Sequence, residues 1–288
     1  MKAVVLLMLG LAVVGCNKPG PVELRQDDTD ALLEVVRIAP PDSNVSLSPV
    51  DSSATLPGDQ VRFAGLLQVA RVTFDGGPNR DTSIAYTRIL FENRRLPVQG
   101  PFGRIVGYHG IDLGSITVNG NLVFRFPHRI AGRVGRPDTI AGTEYYRDLS
   151  TIHQPNTVYT WRATPDTLGP IATSIETPDN VVVDSPKGGA VIRRDRDLPM
   201  SWHGQGKIII VISRLELGRA RSLFMLRARE NRRRAILPSK AVLRLLPPGK
   251  YVFTFVLANR RETDAVSGFA GQILVQAASV YNSYVELQ

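Results

Sequence analysis

The sequence predicts an all-β fold. Turn residues recur roughly every ten positions, the stretches between them are short and rich in Val, Ile, Tyr, Phe and Thr, and no long segment keeps a helical apolar period. In the first half, strands are expected at 60–63, 67–74, 83–91, 104–108, 115–118, 122–126, 157–163 and 171–177. The sharpest local signal is Asn119-Gly120 between two alternating runs, since both residues tolerate the positive φ angles of a two-residue type I′ hairpin. In the second half, strands are expected at 198–202, 207–213, 223–229, 241–245, 251–258, 271–277 and 280–287, with a fresh start at Val181-Val182-Val183.

A weak repeat links the halves. Pro155 to Trp161 and Pro247 to Phe253 share the pattern Pro-x-x-x-Tyr-x-aromatic, and period 2 puts each Tyr and the following aromatic on one face. The second copy, with Leu245 ahead of Pro247, resembles the tyrosine corner of fibronectin type III and other immunoglobulin-like sandwiches. There a Tyr hydroxyl bonds back to the preceding turn. The Pro186 to Gly189 turn ahead of Trp202 is similar to the opening of secreted sandwich modules. The resemblance implies two tandem antiparallel β-sandwiches, at 45–178 and 179–288, meeting where Pro178-Asp179-Asn180 interrupts the pattern.

The N-terminus carries an address. Lys2 precedes an apolar run from Ala3 to Val14, too short to span a bilayer but suited to the core of a secretory signal. Val13-Val14-Gly15-Cys16 resembles the lipobox of bacterial lipoproteins, and Cys16 is the single cysteine of the chain. The resemblance implies a cleaved signal at 1–15, lipid on Cys16 and a location in the cell envelope. Asn17 in place of Asp implies the outer membrane in a Gram-negative source. Residues 16–44 read as a lipid-anchored tether, with 32–38 as a candidate edge strand.

Cleavage leaves about 270 residues, enough for two ordinary domains. With one cysteine, no disulfide and no Cys-based zinc site forms within the mature chain. The net charge of +9 is uneven: residues 187–262 hold 18 Lys and Arg against 5 Asp and Glu, a net +13, so the rest is net −4. The four histidines, His109, His128, His153 and His203, lack metal-ligand spacing, and no nucleophile elbow or phosphate loop is present. Glu144, Asp148 and Glu176 are carboxylates that a β-fold can bring together without a sequence signal. No cofactor and no metal are indicated.

Two segments stand out chemically. Tyr108, His109 and Asp112 form a Gly-flanked candidate ligand loop, in which two rings stack on a sugar and a carboxylate takes its hydroxyls. Arg227, Arg229, Arg232, Arg233 and Arg234 form a candidate polyanion contact, although such a run is also what a solvated hairpin tip presents. No aromatic interleaves it, so specific nucleic-acid recognition is not expected. The expected function is non-catalytic: a lipid-anchored envelope protein presenting sandwich loops to a protein or glycan partner. The alternatives are an envelope polysaccharide hydrolase and a module that binds an acidic polymer.

Overall fold

The computed structural model describes residues 22–23, 34–37, 62–77, 81–100, 103, 105–130, 138–166, 168–216, 219–228, 233–263 and 266–288. Cys16, the signal and most of the tether lie outside the described residues. The chain is all-β, and its sheets do not close. Two short strands come first, β1 (Val22–Glu23) and β2 (Glu34–Arg37), the latter within the expected edge strand. They are followed by β3 (Gly65–Asp75), β4 (Asp81–Gln99), β5 (Ile105–Gly110), β6 (Ile116–Val118), β7 (Asn121–Ile130), β8 (Thr139–Asp148), β9 (Val158–Ala163) and β10 (Ile171–Glu176). The second half contains β11 (Val182–Ser185), β12 (Val191–Ile192), β13 (Leu198–His203), β14 (Ile208–Glu216), β15 (Arg219–Arg227), β16 (Arg234–Leu237), β17 (Gly249–Thr263) and β18 (Ile273–Leu287).

One ladder runs β1-β2-β15-β14-β17-β18-β3-β4-β5-β8-β7-β6-β9-β10, and β4 also pairs directly with β8. A second sheet, β11-β13-β16, packs on the face of β14, β15, β17 and β18. Trp202, Met200 and Leu237 from that sheet meet Ile210, Phe224, Phe253 and Phe255 in one buried cluster, so this lobe is a two-layer sandwich. A separate cluster fills the first lobe with Leu67, Ile89, Phe91, Tyr145, Trp161 and Ile171.

The two lobes share strands. β18 pairs antiparallel with β17 along fifteen positions and parallel with β3 along eleven. Its odd-numbered face supplies Ile273 and Val275 to the first core and Tyr281, Val285 and Leu287 to the second. Its opposite face adds Ala278 and Val280 to a third cluster with Val72, Tyr86 and Val256. The sequence pointed to antiparallel pairing only, and this parallel pairing is the main departure. The expected break between 271–277 and 280–287 is absent. Ala278 and Ser279 are small for close approach rather than for turning, and the Ser279 hydroxyl accepts the amide of Val181 at 2.9 Å.

Other differences have local causes. Residues 241–245 form a turn and a 3₁₀ segment (Leu243–Leu245), because Pro238, Pro247 and Pro248 confine the run while Val242, Leu243 and Leu246 turn inward. Phe63 is buried but lies outside any strand. β8 is hidden in the sequence by Gly142, whose φ of +79° reads as a breaker. In the fold it is a crossing point: a Cβ on Gly142 would lie 2.1 Å from the Gly110 carbonyl oxygen, so only glycine lets β5 and β8 touch there. The Asn119-Gly120 hairpin forms as expected, with both residues at positive φ.

Both tyrosines of the repeat are buried and bonded to backbone upstream. Tyr251 donates to the Pro247 carbonyl at 2.8 Å, and Tyr159 donates to that of Ile152 at 3.2 Å. Replacing Tyr251 by Phe keeps the ring and removes one bond, so urea unfolding should report a loss of about 0.5–1.5 kcal/mol.

The junction between the lobes is closed by Asp75 at the end of β3. Its carboxylate accepts the Gly188 amide at 2.8 Å, the Tyr281 hydroxyl at 2.8 Å and the Gly77 amide at 3.1 Å. Burial pushes its carboxyl up, but these bonds outweigh burial and hold it below the ordinary Asp value. A group depressed in this way contributes its full stability above the unfolded value near 4, and that contribution is lost as pH falls from there through the lower folded value. Asp75→Asn should therefore cost about 1–3 kcal/mol at neutral pH. The gap to the parent should narrow in melts taken below about pH 4.

Candidate functional site

The densest exposed chemistry lies on the outer face of β7, β8 and β4. Alternation along β7 turns Val123 into the core and Phe124 and Phe126 outward, and along β8 it turns Tyr145 inward and Glu144 and Tyr146 outward. The register places Phe124 opposite Tyr146, Phe126 opposite Glu144, and Arg88 of β4 opposite Tyr146. Phe124 is 54% exposed, Phe126 45% and Tyr146 37%. Phe126 meets Tyr146 edge to face at 6.2 Å, and Tyr146 stacks on Tyr86 at 5.5 Å. Three large rings thus stand together on a rigid strand pair, where lone exposed apolar residues would need no explanation.

A hollow with a mixed lining opens at the edge of these rings. It measures about 270 Å³ and is lined by Arg88, Phe126, Pro127, Arg129, Glu144 and Tyr146. Arg88 donates to Glu144 Oε2 at 3.0 Å through Nη2. His128, turned inward at the β7 irregularity, brings Nδ1 to 3.6 Å from the same oxygen, an electrostatic neighbour rather than a formed hydrogen bond. Burial raises the Glu144 carboxyl, but His128 and Arg88 outweigh it and leave it below its ordinary value. Glu92, two turns of the pleat along β4 from Arg88, is pushed the other way by burial, against the opposing charges of Arg94, His128 and Arg88. Two carboxylates on one sheet face are therefore held in opposite directions.

The residues singled out by sequence fare differently. Tyr108 and His109 lie in strand β5, not in a loop, and as neighbours in a strand they face opposite sides. Tyr108 is half-buried under the Arg94 guanidinium, 4.8 Å from its ring centre, while His109 is exposed. Asp112 Oδ1 accepts the Tyr145 hydroxyl at 2.6 Å and the Gly114 amide at 2.9 Å, and it pairs with Arg125 at 2.9 Å. The Tyr145 bond is the main reason its carboxyl is lowered, and burial together with Asp112 pushes the Tyr145 phenol up to about 12. These three residues are not brought together on one surface. Asp112 serves the fold of its own turn.

Arg227 ends β15, and Arg233 and Arg234 lie exposed at the start of β16. Arg229 and Arg232 lie outside the described residues. The remaining histidines are dispersed: His203 pairs with Asp184 at 2.9 Å, and His153 stacks on Tyr159, where burial and then Arg71 hold it neutral, down to about 4. Among the described residues no group of three His, Cys, Asp or Glu is placed to hold a metal ion, and no helix is long and apolar enough to cross a membrane. The aromatic face escaped the sequence reading because its members come from three strands. The signal within reach was the spacing Phe124-x-Phe126, two aromatics on one face of a strand.

No family model matches the chain, and no curated protein matches it significantly. Among solved structures, the crystal structure of a point mutant of CfaE, the CFA/I adhesin of enterotoxigenic E. coli, aligns over 87% of this chain and 86% of that one at 7% identity. Its TM-score is 0.12, an overlap too slight to assign a fold family.

Proposed function

We propose that this chain is a non-catalytic, lipid-anchored cell-envelope protein that presents the aromatic face of β7 and β8 to a glycan. The observation that carries the reading is Phe124, Phe126 and Tyr146 exposed together beside the Arg88–Glu144 pair. Sugar rings offer C–H faces that lie on aromatic rings and hydroxyl edges that bond to carboxylate and guanidinium groups. Both kinds of partner stand here on adjacent strands. The Val13-Val14-Gly15-Cys16 resemblance supports the anchor and, with Asn17, an outer-membrane address in a Gram-negative source.

We further infer an immunoglobulin-like type for the second sandwich, 179–288. The three-stranded sheet β11-β13-β16 opposite β15-β14-β17-β18, with Trp202 in the core and Tyr251 at its corner, supports this. The first unit, 45–178, carries the second corner at Tyr159.

A second reading, a polysaccharide hydrolase, takes Glu92 and Glu144 as its carboxylate pair, since they lie on one sheet face and share Arg88 and His128 as charged neighbours. Reducing-sugar release by the parent, lost in Glu92→Gln with binding intact, would establish it. An inactive parent leaves the binding reading alone.

Two measurements test the main proposal. In cells fed labelled palmitate, the parent should carry label and Cys16→Ser should not; label on the serine form removes the anchor. In titrations against soluble envelope glycans, Phe124→Ala and Phe126→Ala should each weaken binding about tenfold, the equivalent of about 1.4 kcal/mol, with the melting temperature nearly unchanged. Unchanged affinity in both variants, or no glycan bound by the parent, would overturn the site.

A further inference from the structure

Where the N-terminal segment rejoins the fold limits how the molecule sits on a membrane. β2 pairs with β15, with Val35 opposite Leu226 and Glu34 opposite Arg227. β1 then pairs with β2, with Val22 opposite Val35. The chain from Cys16 thus meets the free edge of the second lobe at Val22. Six residues reach at most about 20 Å even when fully extended. A lipid on Cys16 would therefore hold the β1–β2 edge of the second lobe, and not the first lobe, close to the bilayer.

The charge distribution points the same way. The net +13 of residues 187–262 belongs to this lobe, while the rest of the chain is net −4. Arg221 on β15 and Arg233 and Arg234 at the start of β16 are exposed. Cationic side chains brought within a Debye length of an acidic leaflet are attracted to it, and a short anchor supplies that closeness. The aromatic face lies far along the ladder. From β15 the order β14, β17, β18, β3, β4, β8 amounts to about 30 Å along the sheet at about 4.8 Å per strand.

We propose that the second lobe is the membrane-facing base of the molecule, its β1–β2 edge and arginines turned to acidic lipid headgroups, and that it lifts the aromatic face of the first lobe away from the bilayer. The proposal rests on the reading of Cys16 as the anchor. It also gives the arginine run a lipid partner in place of a soluble polymer.

Each lobe carries one of the two tryptophans, Trp161 in the first core and Trp202 in the second, so the orientation can be read optically. The chain without residues 1–15 is coupled through Cys16, its single thiol, to maleimide lipid in phosphatidylglycerol vesicles that carry a dansyl headgroup. Energy transfer to dansyl should be severalfold greater from Trp202 in Trp161→Phe than from Trp161 in Trp202→Phe. The difference should shrink at high salt, on phosphatidylcholine vesicles, and in the combined Arg221→Gln, Arg233→Gln, Arg234→Gln form. Hydrogen exchange of the unsubstituted chain covers the case in which a tryptophan variant does not fold. Coupling should then protect amides at 22–23 and 219–223, the outward part of this edge, and leave those of 121–130 unchanged. Equal transfer from both tryptophans, or protection confined to 121–130, would overturn the orientation. Because coupling is chemical, a failure here differs from absent palmitate labelling in cells, which would remove the anchor itself.

Discussion

Burial of β18 on both faces is the constraint on which the rest of the structure depends. A strand covered on both sides cannot alternate apolar and polar residues, and the run from Ile273 to Val285 is buried at nearly every position. Several of its polar groups are paired there. Ser283 donates to the Pro186 carbonyl, Ser279 accepts from Val181, and Asn282 accepts from Thr254. Ala277, Ala278 and Ser279 keep the middle of the strand thin where the two cores meet. Bulk there would press on the residues packed over both faces of the strand.

The junction is therefore polar in its fastenings and apolar in its fill. Asp75, Tyr281 and Gly188 fix the end of the parallel pair, and a side chain on Gly188 would strike the Asp75 backbone oxygen at 2.2 Å. Asn259 donates to the Glu176 carbonyl at 2.8 Å, and the Gly169 amide donates to that of Ser267 at 2.7 Å. These bonds join residues far apart in sequence; those on Asp75 are buried, so removing one of its partners leaves a buried group unmet in the other lobe, while the Asn259–Glu176 bond lies exposed. The lobes should accordingly unfold as coupled units rather than as independent beads, since each draws part of its core from strands that also serve the other.

Local features were legible in the sequence and long-range ones were not. The Asn119-Gly120 hairpin and both tyrosine corners rest on residue types whose conformational or bonding preference is visible within a few positions. The pairing of β18 with β3 joins residues about two hundred positions apart and leaves no local trace. β8 was hidden because Gly142, which reads as a breaker, is instead the contact that lets two backbones touch. The Tyr108, His109 and Asp112 cluster looked like a site because its residues are adjacent in sequence. Strand alternation then separates the two rings, and the Tyr145 hydroxyl occupies the carboxylate.

The proposed glycan face benefits from being built this way. Side chains on paired strands are held by the ladder beneath them, so little ordering entropy remains to be lost when a ligand arrives. Tyr146 is fixed further by Tyr86 on one side and Phe126 on the other. The Arg88–Glu144 pair sets the polar edge, each group limiting the other's rotation and keeping the carboxylate ionised beside the rings. The same sheet runs without a break from this face to the basic lobe. The separation between the aromatic face and the basic lobe is thus set by strand count rather than by a flexible linker, and a change in either lobe's core would be felt as a tilt of the face, not as a loosening of it.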